Sequence, residues 1–587
     1  MIRSTKKNLE SAVKRSIKVD SKNLWFQSRS RLSLPLQFTQ QRFNSGTKDG
    51  KDDDQKKESK SYLITSGLVF VTGVLLGTVY SSYNISLHPP EALFPRSSIT
   101  KLYDLSPPVY GGPTDLANAI KDLREFLKED QISENQSELK DHADTYFNSH
   151  HAGPTQISKY IIYPKSTEEV SKIMKICHHY IIPVVPTSGL SSLEGHFIPT
   201  RGGICIDCSH MDKIVSIHKD DLDVVVQPGI GWESLDEELA KYNLMIGVDP
   251  GPGAMIGGCI ANSCSGTKAL KYKTMKENVV NLTVVLADGT IIKTKKRSTK
   301  SSAGYNLNGL FIGSEGTLGI VTEATLKLHV KPKVEHVAVV SFPTIEDSAK
   351  VCAEVVAQGI DVNAMEMVDD KMMMYINRSG ELSKKFDELT TLFFKIGGDS
   401  KDEIKHRSEK LRILCKQNNN SSFQFAESPE DKEELWSARK VALWSTINYG
   451  RANISSDIQI WTTDVAVPIS NLPIILKEMK KEIEDSGLNA TLVAHAGDGN
   501  FHSFLLFKPE QRLTAQYLVD RMVKKALELE GTCTGEHAIG YGKREYLVEE
   551  MGEDVVALMR KLKMSLDPLR ILNPDKIFKI DPSDHAH

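Results

Sequence analysis

Asp249-Pro250-Gly251-Pro252-Gly253-Ala-Met-Ile256-Gly257-Gly258-Cys-Ile-Ala261-Asn262-Ser263-Cys-Ser265-Gly266 is the stretch on which the reading of the fold turns. Glycine lets one backbone approach another closely and adopts positive φ at little cost, so a run of this kind can aim successive N–H groups at an anion. A second such run lies upstream: Pro186-Thr187-Ser188-Gly189-Leu190-Ser191-Ser-Leu-Glu194-Gly195. Neither fits the common nucleotide fingerprints. Ile256 stands where GxGxxG needs its third glycine, and no Walker lysine follows either run. The loops suit an anionic ligand outside the Rossmann and P-loop classes.

The surrounding texture sets the fold class. From 155 to 330, short β-branched runs alternate with Gly, Pro and Ser turns, as in Gly203-Ile-Cys-Ile-Asp, Asp223-Val-Val-Val-Gln-Pro-Gly and Val279-Val-Asn-Leu-Thr-Val-Val-Leu. Asp288-Gly289 between two strands predicts a two-residue hairpin turn. From 332 to about 510, strands mix with longer helices and fewer glycines, which predicts a second α+β domain. Asp115 to Lys128 carries apolar spacings of three and four, and the tail from 515 to 580 is mostly helical. The expected domains are a helical segment over 84–150, a glycine-rich domain over 151–331, a second domain over 332–550 and a C-terminal segment over 551–587.

The head differs from the body. Residues 1–45 hold ten basic and two acidic residues, with abundant Ser, Gln and Asn, the composition of a mitochondrial transit peptide. A polar spacer over 46–61 follows. Residues 62–80 are free of charge, with Tyr62, Tyr80 and Tyr83 at the ends, which predicts a single transmembrane helix over 62–83. A transit peptide followed directly by such a segment predicts an inner-membrane anchor with the body facing the intermembrane space. Residues 1–60 carry a net charge of +8 and the remainder −11, so the body has no basic footprint for nucleic acid. The eight cysteines are scattered and form no disulfide framework. Cys205-Ile-Asp-Cys208 lies inside a strand-like run, where plain packing is the expected role.

Chemistry enters with Ala490-Thr-Leu-Val-Ala-His495-Ala-Gly-Asp498-Gly499-Asn-Phe-His502-Ser-Phe. Two apolar strands flank Asp498-Gly499. Centring a tight turn there sets His495 opposite His502, on one face and close enough to share an ion. Gly535-Glu536-His537-Ala-Ile-Gly540 offers a carboxylate and a further imidazole. Two neutral ligands and one carboxylate leave a divalent ion an open position, as a catalytic metal requires.

The set Pro164-x4-Glu169-Val170, Pro186–Ser191, Gln227-Pro228-Gly229, the 251–266 loop, Asn308-Gly309-Leu310 and Gly313-Ser-Glu315-Gly316-Thr-Leu-Gly-Ile320-Val321-Thr-Glu323 resembles the FAD domain of the vanillyl-alcohol-oxidase (PCMH) type. That resemblance implies two α+β lobes holding FAD, with Pro186, Thr187, Ser188, Gly189, Leu190 and Ser191 at the pyrophosphate. It implies Gly257, Ala261, Ser263 and Gly266 along the flavin, and Ile320 and Val321 toward the adenine side. Pro250, Gly253, Glu315 and Gly316 are expected among the cofactor contacts as well. Many members tether the flavin through a histidine in the first loop; this loop has none, so the FAD is expected to be non-covalent.

The two histidine motifs resemble the C-terminal half of the D-2-hydroxy-acid dehydrogenases that act on D-lactate, glycolate or D-2-hydroxyglutarate. The resemblance implies that His495, His502 and Glu536 hold Zn²⁺ or a similar ion and that His537 is the general base. Leu435-Trp436-Ser-Ala-Arg439 is similar to that family's substrate arginine segment, making Arg439 the candidate carboxylate clamp. Asn573, in the terminal Asn-Pro-x-Lys, is expected at the flavin. The expected function is oxidation of D-lactate with cytochrome c as acceptor, the leader and anchor favouring that acceptor. Glycolate or D-2-hydroxyglutarate oxidation, a metal-dependent hydrolase and a non-catalytic membrane assembly subunit are the alternatives.

Overall fold

The computed structural model describes residues 66–80, 97–382, 384–426 and 428–584. The expected transit peptide and spacer lie outside the described residues. Two compact units divide the chain, one over 1–95 and one over 96–587. In the first, residues 66–80 are helical with exposed apolar side chains. Fifteen residues at about 1.5 Å each fall short of a bilayer core of about 30 Å. No helix among the described residues is long and apolar enough to cross a membrane. The ends of the expected span, 62–65 and 81–83, lie outside the described residues.

The second unit is α+β, with three sheets among the described residues. The first sheet comprises β1 (Ile132–Ser133), β2 (Tyr160–Ile162), β3 (Val184–Thr187) and β4 (Ile204–Asp207), in the order β1-β2-β4-β3. Cys205 and Cys208 are buried at β4 and just beyond it, and burial pushes the Cys208 thiol up to about 12. Both are packing residues, as their strand-like setting predicts. Helix Thr167–Tyr180 covers this sheet; Ser166 caps its N-terminus by accepting from the Glu169 N–H.

The second sheet holds β5 (Ile214–His218), β6 (Asp223–Val226), β7 (Leu244–Ile246), β8 (Val279–Val285), β9 (Ile291–Lys293) and β10 (Ile320–Val330). Its order is β5-β6-β10-β8-β9, with β7 also pairing β10. The Asp288-Gly289 turn differs from the expected two-residue form. Val285 pairs Ile291 and Leu286 donates to Thr290, so the loop has three residues, 287–289, and Gly289 takes the left-handed position at φ 81°. A side chain there would meet Ser171 O at 2.5 Å.

The third sheet contains β11 (Val334–Phe342), β12 (Ala364–Val368), β13 (Thr390–Gly398), β14 (Ser422–Ala426), β15 (Gln459–Thr462), β16 (Val465–Ala466), β17 (Asn489–His495) and β18 (Asn500–Phe507). Its order is β14-β11-β13-β12-β17-β18-β15, with β16 also on β18. Helices Ile345–Ala357, Lys401–Gln417, Leu472–Ser486 and Arg512–Glu528 bury an apolar face against one side, in the largest core cluster. Helices Asp370–Ser379, Pro429–Lys440 and Ala442–Asn453 cover the other side.

The C-terminal segment closes the unit. Val184 N–H donates to Ile571 O at 2.7 Å, and Asn573 N–H returns to Val184 O at 2.7 Å, so residues 571–573 extend the open edge of the first sheet. Ile571 and Leu572 are buried in the core that β3 and β4 share with Val285 and Ile320 of the second sheet.

Candidate active site

A cavity of about 640 Å³ runs between the glycine loops and the third sheet. Pro186, Thr187, Ser188, Gly189, Leu190, Ser191, Pro250, Gly257, Ala261, Gly266, Glu315, Gly316, Ile320, Val321 and Asn573 line it, and so do Arg439, His495, His502, Glu536 and His537. Two sequence candidates do not. Gly253 packs beneath the first loop, and Ser263 ends helix Ile256–Asn262 in a left-handed conformation at φ 53°.

The loops fit a phosphorylated ligand. Among the described residues, the backbone N–H groups of residues 188–191 make no hydrogen bond, and Leu190 is left-handed at φ 52°. Consecutive free N–H groups beside a left-handed residue form an anion nest. Glycine is required for the loops to close on one another. A side chain at Gly189 would stand 2.8 Å from Gly253 O, and one at Gly257 would stand 2.7 Å from Pro228 Cβ. Asn573 donates to Glu315 O at 2.7 Å and to His196 O at 3.1 Å, which leaves its buried Oδ1 unpaired at the cavity wall.

His196 also lines the cavity, one residue past the first loop, and its ring makes no hydrogen bond. Burial pushes its pKa down to about 3, so it is neutral. His196 lies just outside the glycine-rich run that ends at Gly195, and no local motif marks it.

The histidine hairpin differs from expectation in register. His495 pairs Asn500 and Val493 pairs His502 around a four-residue loop, 496–499. The offset is two residues. Because side chains alternate with a period of two, such a shift leaves both histidines on one face. Their ring centroids are 5.4 Å apart. The longer loop is held by Gly499 at φ 74°, where any side chain would collide with Val467 O.

His495 Nε2 lies 2.9 Å and His502 Nε2 3.4 Å from the same oxygen, Glu536 Oε1. The outer nitrogens are engaged: His502 Nδ1 donates to Thr463 O at 2.9 Å and His495 Nδ1 to Glu366 at 2.8 Å. Each ring therefore directs Nε2 inward at Glu536, the nitrogen that would ligate a metal once unprotonated. The ligand atoms of the three residues all lie within 4.8 Å of one another. Burial opposes charge on His495, yet Glu366 and Glu536 hold its pKa well above the usual imidazole range. Asp464, His502 and His537 form a second close group. There the His502 nitrogen near Asp464 is Nδ1, at 3.7 Å and already donating to Thr463, so the first set is the better donor set.

The loop carrying Glu536 and His537 is held from both sides. Asp464 Oδ2 accepts from Thr534 Oγ1 at 2.7 Å and from the N–H groups of Gly535, Glu536 and His537 at 2.8, 3.0 and 2.9 Å. Glu315, from the glycine-rich part of the chain, accepts from the Ile539 and Gly540 N–H groups at 2.9 and 2.7 Å. Ser265 of the second glycine loop donates to Glu536 Oε2 at 2.6 Å. His537 stacks on His502 at 4.8 Å, with Nδ1 3.8 Å from the fully buried Glu194. Burial disfavours its protonated form; the Asp464 and Glu194 carboxylates more than offset this and raise its pKa. Lys543 pairs Glu194 at 3.3 Å and Asp464 at 3.6 Å.

Arg439 sits at the cavity, but its guanidinium is not free. Nε and one terminal nitrogen both lie 2.9 Å from Glu366 Oε2. Trp436, Leu443, Val493 and Phe504 supply apolar wall beside it. Glu366, Asp464 and Glu194 were absent from the sequence candidates. Glu366 is one carboxylate inside the apolar run Ala364-Met-Glu-Met-Val368, and nothing local marks it.

Comparison with known proteins gives two family matches along the chain. The FAD binding domain model matches residues 158–295, and the model for the C-terminal domain of FAD linked oxidases matches residues 331–577. The mitochondrial D-lactate dehydrogenase (cytochrome) of Kluyveromyces lactis is 55% identical over 522 residues, 88% of this chain and 90% of that protein. D-lactate dehydrogenase (cytochrome) 1 of Saccharomyces cerevisiae is 51% identical over 549 residues, 90% of this chain and 93% of its own. Among solved structures, p-cresol methylhydroxylase with substrate bound superposes with a TM-score of 0.67 at 15% identity, over 82% of this chain and all of that one. At that identity the likeness establishes the fold, a PCMH-type FAD-binding architecture, and the sequence matches establish the rest. The chain belongs to the FAD-linked oxidase family, in the group of the mitochondrial D-lactate dehydrogenases of the cytochrome type.

Proposed function

We propose that this protein oxidises D-lactate to pyruvate with bound FAD and passes the electrons to cytochrome c. The observation that carries the reading is the single cavity shared by the glycine loops, the His495–His502–Glu536 set, His537 and Arg439. When bound, FAD would supply a hydride acceptor for C2 and a divalent ion would supply Lewis acidity toward the substrate hydroxyl. The remaining work falls to the chain. Arg439 presents the rest of its guanidinium to the carboxylate. His537 takes the hydroxyl proton at Nε2, its Nδ1 side being turned to Glu194. Trp436, Leu443 and Phe504 exclude water and fit a short aliphatic substituent. Asp464 and Glu315 fix the loop that carries Glu536 and His537, so both arrive in position before substrate binds.

The setting follows from the head of the chain and from relatives whose names place them in the mitochondrion. On this reading the basic leader directs import, and the apolar segment around 66–80 anchors the protein in the inner membrane with its body in the intermembrane space. One spectrum tests the chemistry. D-Lactate should bleach the flavin band of the purified protein, and L-lactate should not. Bleaching by D-2-hydroxyglutarate or glycolate in preference to D-lactate would reassign the substrate, and a colourless purified protein would end the reading.

A further inference from the structure

We infer that Glu366 is a positioning residue that ties the metal-side imidazole of His495 to the carboxylate-side guanidinium of Arg439. Glu366 lies on β12, directly opposite His495 on β17. Its side chain is fully buried. One oxygen accepts from His495 Nδ1 at 2.8 Å, and the other takes two nitrogens of Arg439 at 2.9 Å. Arg439 belongs to helix Pro429–Lys440 on the face of the third sheet that carries these side chains, and only 14% of its side chain is exposed. A fully buried carboxylate with both oxygens engaged cannot release one partner without stranding charge.

The consequence is a continuous line, Arg439–Glu366–His495–Glu536, joining the two ends of the substrate site. Glu366 fixes the His495 tautomer and ring plane, so Nε2 points at Glu536. The same residue sets the azimuth of the guanidinium and leaves its second terminal nitrogen for the substrate. Carboxylate partners of ligating histidines are commonly worth ten- to a hundredfold in metal affinity. Here the carboxylate has a second client, so metal affinity and substrate affinity are coupled through one side chain. This inference rests on the metal reading given above.

The test uses the full-length holoenzyme and Glu366→Gln. Zn²⁺ affinity is measured by competition with a graded chelator, FAD content by absorbance, and KM and kcat for D-lactate under saturating Zn²⁺. The expected result is retained FAD, Zn²⁺ binding weakened about ten- to a hundredfold, and a raised KM that excess Zn²⁺ does not restore. Wild-type Zn²⁺ affinity together with wild-type KM overturns the inference, as does a lowered Tm with neither constant changed. Arg439→Met covers the case in which Glu366→Gln does not fold. Arg439 touches no metal ligand, yet its loss should shift Zn²⁺ affinity at least threefold through Glu366; an unchanged affinity overturns the coupling. His495→Ala separates the two readings. If it binds Zn²⁺ as the wild type does, the metal site itself is misassigned; if it loses Zn²⁺ while Glu366→Gln and Arg439→Met do not, only the coupling fails.

Discussion

At the scale of single residues, the site divides into groups that chemistry makes visible and groups that only the fold supplies. His495→Ala and His502→Ala should each lose metal while keeping FAD, because both imidazoles face Glu536 and neither belongs to the glycine loops. Elemental analysis beside the flavin absorbance checks this, and full metal occupancy in either variant would count against the shared ion. The FAD should be non-covalent. Residues 186–191 contain no nucleophile of the tethering kind, and His196, although it lines the cavity, is a buried neutral ring beside Glu315. Acid precipitation should release the yellow colour into the supernatant; colour in the pellet, lost in His196→Ala, would identify His196 as the tether. His495, His502, Glu536 and His537 stand out in the sequence because each motif is contiguous and pairs side chains able to bind a metal with turn residues. Glu366 lies 129 residues from His495, and Asp464 stands 73 residues from His537, each alone among apolar or hydroxyl neighbours. No spacing rule connects them. The segment around Arg439 can be singled out in the sequence, but its tie to Glu366 cannot, because how a helix packs on a distant strand is a property of the fold.

At the scale of elements, face proved more robust than register. The hairpin was expected to turn on two residues and turns on four, yet both histidines share a face because the error was even. The longer loop exists because Gly499, in the left-handed region, tucks against Val467. Gly499→Ala should therefore destabilise the protein by about 2 kcal/mol through backbone strain and lower metal occupancy more than FAD content. An unchanged Tm and metal content would show that the loop tolerates a side chain. The C-terminal segment offers a different test. Asp575 accepts from Arg201 Nε at 2.6 Å and from Thr200 Oγ1 at 2.8 Å, tying the chain end to the turn before β4. Burial works against its charge, but Arg201 more than offsets this and holds its pKa below the usual carboxylate range. A folded-state pKa below the unfolded value contributes stability that is complete above that range and lost as pH falls through it. Asp575→Asn should cost about 2 kcal/mol near neutrality, and its deficit relative to the wild type should shrink in acid. A deficit that stays constant from pH 7 to pH 3 would assign the loss to shape instead of charge.

At the scale of the whole molecule, the division of charge along the chain bears on the electron acceptor. Residues 1–60 carry +8 and the remainder −11, so the chain beyond residue 60 is acidic. The proposed acceptor, cytochrome c, is strongly basic, and opposite net charges raise the rate of encounter more than they change the contact formed. Such steering is screened over about 8 Å at physiological ionic strength and reaches about 30 Å at 0.01 M salt. The second-order rate with cytochrome c should fall steeply as salt rises. The rate with a small neutral dye should barely change, since that reaction probes the flavin alone. Topology gives an independent reading of the same proposal. With the outer membrane of mitochondria ruptured and the inner membrane intact, added protease should reach the body if the segment around 66–80 anchors it on the intermembrane side. Equal salt dependence for the two acceptors would remove electrostatic steering while leaving the flavin chemistry untouched. A body that survives the protease would lie in the matrix, where no encounter with cytochrome c takes place, and the acceptor would then have to be sought among matrix or membrane carriers.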